Sequence, residues 1–122
     1  MAKVLVVEDN PMSMELTVDL LESFGYKVEQ AEDGELALDI VNGTNDLDLI
    51  LLDMQLPRMD GLEVLSYLKE SDNLKNTPVI ALTAHAMRGD EEKYINAGCV
   101  DYISKPIDIH AFEKTVAHYI DS

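Results

Sequence analysis

Six residues of the 122-residue chain have both the type and the place to do chemistry. Glu8 and Asp9 follow the apolar run Val4–Val7, and Asp53 follows Leu49–Leu52. Thr83 and Ala84 follow Val79–Leu82, and Lys105 follows the weaker run Tyr102–Ser104. In a parallel sheet all strand C-termini lie along one edge, where such folds bind ligands, so three carboxylates, a hydroxyl and an ammonium are expected at one rim. Clustered carboxylates repel one another, and each holds its proton more tightly than usual unless a cation intervenes. All-oxygen ligation favours a hard ion such as Mg²⁺. With the lysine as a second positive centre and the hydroxyl as a donor, the set forms a clamp for the equatorial oxygens of a transferring phosphoryl group. A carboxylate can be the nucleophile. Asp53 ends the stretch LILLD, a strand whose burial makes a carboxylate costly unless something pairs with it, and which would hold its oxygen in line for attack. Any one of these residues is better explained as a strand end reaching solvent. Four strands delivering this particular set are not.

The elements that must position the set are legible as alternation. The runs Val4–Val7, Leu49–Leu52 and Val79–Leu82 are continuously apolar, the mark of parallel strands covered on both faces, and Lys27–Gln30 and Tyr102–Ser104 complete five strands. Between them lie amphipathic stretches. Asn10-Pro11 supplies an N-cap and first turn ahead of Met14, Val18 and Leu21, and Gly25 closes that helix. Leu36, Ala37, Ile40 and Val41 form a second face, and Leu62, Leu65 and Leu68 a third. A mostly polar fourth helix is expected over Met87–Ala97, stopping at Gly98, and the last carries Ile109, Phe112, Val116 and Tyr119 on one stripe. The pattern is (βα)5: an α/β, doubly wound parallel sheet with helices on both faces, in one domain over residues 1–122.

Composition narrows the partners. A formal net charge of −15 argues against nucleic acid and against anionic membrane. Cys99 is the only cysteine, so neither an intrachain disulfide nor a cysteine metal cluster is available, and it is expected to pack as a small apolar residue. No apolar run has the length of a signal-peptide core or a membrane span, which reads as a soluble cytoplasmic protein. None of the glycines forms GxGxxG or GxxxxGK[ST], which argues against nucleotide binding by either route. The histidines are not spaced as a metal set: His110 and His118 read as surface residues, and His85 as bordering the site. Met12, Met14, Met54, Met59 and Met87 read as adaptable filler, with Met12, Met14 and Leu16 as a minority candidate for a docking surface.

The pieces VLVVEDN, LILLDMQLPRMDGLE, PVIALTAHAMRGDEEK and GCVDYISKPI, in this order and at the ends of strands one, three, four and five, resemble the receiver domain of two-component response regulators, and most of all its stand-alone, DivK-like type. The resemblance covers essentially the whole chain. It implies a flavodoxin-like fold with strand order 2-1-3-4-5. It implies that Asp53 is the phosphoacceptor, that Asp9 is a direct Mg²⁺ ligand with Glu8 acting through water, and that Gln55 offers its backbone carbonyl to the metal. Thr83, Lys105 and the Ala84 N–H match the groups that contact phosphoryl oxygens, and Lys105-Pro106 matches a cis peptide. Tyr102 matches the switch aromatic that turns inward when Thr83 moves, and Gln55 and His85 occupy the two variable positions that tune dephosphorylation. The donor so implied is a sensor histidine kinase or a histidine phosphotransfer protein, and the message passes to a downstream protein.

The fourth helix has a poor apolar stripe, so it, strand five and the last helix are expected to be the face that changes on phosphorylation. A dehalogenase-like phosphatase would need a second carboxylate where Gln55 stands. A flavin carrier would need a hydroxyl- and glycine-rich loop where EDNPMS stands. A phosphate-independent interaction module, or a phosphate sink, remains the rival reading.

Overall fold

The computed structural model describes residues 2–43, 46–56, 59–71, 74, 76–84 and 90–120. Five strands alternate with five helices. These are β1 (Lys3–Val7), α1 (Pro11–Ser23), β2 (Lys27–Ala31), α2 (Gly34–Asn42), β3 (Leu49–Asp53), α3 (Gly61–Glu70), β4 (Val79–Thr83), α4 (Asp90–Ala97), β5 (Asp101–Ser104) and α5 (Ile109–Ile120). All pairings are parallel, in the order β2-β1-β3-β4-β5. The crossover between β2 and β3 therefore reverses direction at β1, and the crevice of such a fold opens where β1 and β3 diverge.

Strand side chains alternate between faces, and the continuously apolar strands consequently feed two cores. Leu5, Val7, Ile50, Leu52, Val79 and Ala81 pack with buried residues of α2, α3 and α4. Val4, Val6, Leu49, Leu51, Ile80 and Leu82 pack with Met14, Val18 and Leu21 of α1 and with Phe112 and Val116 of α5. The edge strand β2, KVEQA, is buried only at Ala31, as its mixed composition requires.

The helix starts follow local chemistry. The Asn10 side chain accepts from the N–H groups of Met12 and Ser13, with Pro11 in the first turn, while Asp33 and Asp60 cap α2 and α3. Gly98 takes φ +125° directly after α4, a backbone state that side chains with a Cβ rarely adopt. Gly61 has another role: a Cβ there would stand 2.5 Å from Met54 Sδ and 2.9 Å from the Asp53 carbonyl oxygen. Only glycine lets the start of α3 lie against the end of β3.

Several sequence expectations shift. The buried face of α3 is Gly61, Val64, Leu65 and Leu68, with Leu62 only partly buried, because the helix begins at Gly61 and this set has the i, i+3, i+4, i+7 spacing. Leu36 and Ile109 are largely exposed. Among the described residues, Met14 lies under α1, Met54 belongs to the opposite core with Met59 packed against it, and Met12 projects into solvent. Met14 is thus unavailable to a docking surface, whereas Met12 and Leu16 are exposed. The fourth helix is described from Asp90; Met87 and His85 lie outside the described residues. Among the described residues, no helix is long and apolar enough to cross a membrane.

Candidate functional site

The C-terminal sheet edge gathers the expected residues because the ladders run to the ends of the strands. The Glu8 N–H donates to the Ala31 carbonyl at 3.0 Å, that of Met54 to Leu82 at 3.0 Å, and that of Lys105 to Thr83 at 2.8 Å. Backbone pairing thus holds Glu8, Asp53, Thr83 and Lys105 on one rigid frame. Glu8, Asp53 and Thr83 are buried, whereas Asp9 is exposed at the rim. Because Asn10 caps α1, Asp9 is not needed for that purpose.

Glu8, Asp9 and Asp53 each offer a carboxylate oxygen within 4.8 Å of the others, a donor set suited to a hard divalent cation. Lys105 reaches in from β5, with Nζ 2.7 and 2.8 Å from the two oxygens of Glu8 and 3.3 Å from Asp53 Oδ2. Its first partner is Glu8, which the sequence did not indicate. The Lys105-Pro106 peptide is cis. Burial pushes the Glu8 carboxyl up to about 7, and the hydrogen bond and negative charge of Asp53 add to this while Lys105 opposes it. Burial alone would lower the Lys105 pKa, but the two carboxylates outweigh it and hold the ammonium charged. The site thus carries more negative charge than one lysine neutralises, as a cation-binding cluster would.

Gln55, two residues beyond Asp53, turns its backbone N–H onto Asp53 Oδ1 at 2.9 Å. Its carboxamide reaches β4, where Oε1 accepts from the Ala84 N–H at 3.3 Å and Nε2 lies 3.5 Å from Thr83 Oγ1. The sequence pointed to the Gln55 carbonyl and gave no sign of this side-chain contact, which depends on how the loop after β3 folds back.

Tyr102 does not join the cluster. It packs partly against the core under α2, α3 and α4, and the Glu91 carboxylate of α4, as a hydrogen-bond acceptor and negative charge for the phenol, holds its pKa above the ordinary value. Glu91 is one of several acidic residues in a mostly polar helix, so no sequence signal marks it as Tyr102's neighbour. Two surface depressions flank the rim. A groove of about 470 Å³ runs from Asp9 along α1 past Met14, Val18 and Glu22 to Glu32 of the β2–α2 connection. A smaller one of about 130 Å³ is lined by Ser13, Leu16, Lys105, Pro106 and Ile107.

The sequence model of the response regulator receiver domain matches residues 4–117. The chain belongs to the response-regulator receiver family. This receiver is 47% identical over 117 residues to the polar-differentiation response regulator DivK of Brucella anthropi, covering 96% of this chain and 94% of that protein. It is 46% identical to DivK of Brucella ovis over the same length. Among solved structures, it resembles the receiver domain of a sensor histidine kinase from Pseudomonas aeruginosa, with a TM-score of 0.91, 34% identity and coverage of 99% and 98% of the two chains. That structure has a magnesium ion coordinated in its active-site cleft. The chemotaxis protein CheY4 of Vibrio cholerae superposes with a TM-score of 0.91 at 28% identity over 98% of each chain. The receiver is a DivK-like response regulator with a flavodoxin-like fold, a component of two-component signalling.

Proposed function

We propose that residues 1–122 act as one phosphoacceptor domain, in the cytoplasm, that takes a phosphoryl group from a phosphohistidine onto Asp53. The observation that carries this is the convergence of Glu8, Asp9, Asp53 and Lys105 at one sheet edge, with Thr83 and the Ala84 N–H facing them from β4. Asp9, Asp53 and the Gln55 carbonyl would hold Mg²⁺, with Glu8 behind them. The ion supplies positive charge against the carboxylates and the incoming phosphoryl oxygens.

The protein's own residues account for the rest. An Asp53 carboxylate oxygen attacks phosphorus, the new O–P bond forms as the N–P bond of the phosphohistidine breaks, and the imidazole leaves with the electron pair and takes up a proton. Lys105 and the Thr83 hydroxyl then bind the phosphoryl oxygens together with the Ala84 N–H. Lys105 is already charged and half-buried beside Asp53, so little rearrangement is needed at the moment of transfer.

The donor is a sensor histidine kinase or a phosphotransfer protein. It docks over exposed Met12 and Leu16, beside the small depression that ends at Lys105 and Pro106. The signal leaves through α4, β5 and α5. Drawing Thr83 towards a phosphoryl group frees space for Tyr102 to turn inward, away from the Glu91 carboxylate.

The test is transfer from a histidine-phosphorylated donor domain. One phosphoryl group per chain, labile to hydroxylamine and absent in Asp53→Asn, is expected, with faster hydrogen exchange over α4 and β5 in the phosphorylated form. Label on any other residue, or exchange identical in both forms, contradicts the respective half of the proposal.

A further inference from the structure

Gln55 makes two separable contributions. Its backbone N–H fixes Asp53 Oδ1, and any residue but proline at this position would preserve that bond. Its carboxamide faces the opposite wall, with Oε1 on the Ala84 N–H at 3.3 Å and Nε2 at 3.5 Å from Thr83 Oγ1. These are the two neutral groups of β4 and its end that the phosphoacceptor reading assigns to phosphoryl oxygens, and the present inference rests on that reading. A carboxamide oxygen and a phosphoryl oxygen are both acceptors for the same single N–H, which cannot serve both at full strength.

The geometry points to the Gln55 carboxamide as a placeholder. It occupies the Ala84 N–H and restrains Thr83 while Asp53 is unmodified, and it must leave before a phosphoryl group can be bound by both. Gln55 is thus a positioning residue that weakens retention of the phosphoryl group and sets a threshold for the switch. Both contacts are long for hydrogen bonds, so the threshold is low. Gln55 is exposed, so a released carboxamide passes directly into water and its removal leaves no cavity. The opposite role, with Nε2 donating to a phosphoryl oxygen, predicts the opposite sign.

The experiment uses the full chain, Mg²⁺ and beryllofluoride as a non-covalent phosphoryl mimic, with calorimetric titration of wild type, Gln55→Ala and Gln55→Met. Asp53→Asn serves as the negative control. Loss of one net hydrogen bond corresponds to a tightening of about two- to tenfold in both Gln55 variants. The Ala84 amide resonance, recorded before any ligand is added, should move towards the position of a solvent-bonded N–H in both variants. A merely structural role for Gln55 would not produce that shift together with a gain in affinity. Unchanged or weaker beryllofluoride binding by the variants, or an Ala84 amide indifferent to them, overturns the placeholder while leaving the phosphoacceptor reading intact. A wild-type chain that takes no beryllofluoride overturns both.

Discussion

Replacing Asp53 by Asn should stabilise the metal-free protein at pH 8, although it removes the residue on which the proposed function depends. Glu8 is 1% exposed, and its carboxyl is pushed from 4.5 to about 7, first by burial and then by Asp53, against the pull of Lys105. A carboxyl whose pKa is raised by folding holds its proton more tightly in the native state. Its contribution to stability is therefore fully present below about pH 4.5 and is lost as the pH rises through about 7. The difference between these two values corresponds to roughly 3 kcal/mol of stability withheld from the metal-free protein above neutrality. Burial, the largest cause, persists in the variant and the 3.3 Å Lys105–Asp53 pair is lost, so the asparagine recovers only a share, on the order of 1 kcal/mol or less, which is at most about 3–6 °C in Tm for a chain of this size. The Asn oxygen can still accept the Gln55 N–H, and Lys105 keeps both bonds to Glu8, so the loop is preserved. The assay is thermal unfolding in a chelator at pH 8 and pH 5. The advantage of Asp53→Asn should be present at pH 8 and gone or reversed at pH 5, where Glu8 keeps its proton in either protein and only the lost Lys105 pair distinguishes them. A variant no more stable than wild type at pH 8, or equally favoured at both pH values, would refute the reasoning.

Mg²⁺ binding by the wild type, followed by calorimetry, should weaken about tenfold between pH 8 and pH 6 if one proton near pH 7 is displaced; a flat profile would dissociate Glu8 from the metal. Gly61→Ala should lower unfolding free energy by about 1–3 kcal/mol, because the new methyl meets Met54 and the Asp53 carbonyl. Denaturant titration checks this, and unchanged stability would mean that α3 can slide away from β3 at no cost. The double change Met12→Asp with Leu16→Asp should slow transfer from a phosphohistidine protein at least tenfold while leaving labelling by a small acyl phosphate unaltered. An equal effect on both donors would remove α1 from the docking surface.

How far the sequence could be read depended on whether a feature was carried by the chain locally. The continuous runs ending at Val7, Leu52 and Leu82 mark buried parallel strands, and each is followed by the polar residue that the sheet brings to the rim. Asn10-Pro11 announces α1 with its own cap. Leu36 and Ile109 were misplaced because an apolar side chain at the start of a helix need not face the core. Val64 was overlooked because the true start of α3, Gly61, sets the phase of the buried stripe. At the candidate site, the convergence of Glu8, Asp9, Asp53, Thr83 and Lys105 on one sheet edge was legible from strand ends alone. The Lys105–Glu8 pair, the Gln55 carboxamide on Ala84 and the influence of Glu91 on the Tyr102 phenol were not. Each joins side chains far apart in sequence, and their meeting depends on loop path and rotamer rather than on any periodic pattern.

The central claim, that Asp53 accepts a phosphoryl group with the help of a divalent cation, is tested most directly by intact mass. The protein is incubated with acetyl phosphate, with and without Mg²⁺, beside Asp53→Asn. The account predicts a gain of one phosphoryl group in the wild type only when Mg²⁺ is present, and none in the variant. No gain under any condition would contradict it, and would leave the acidic rim as part of a phosphate-independent interaction module.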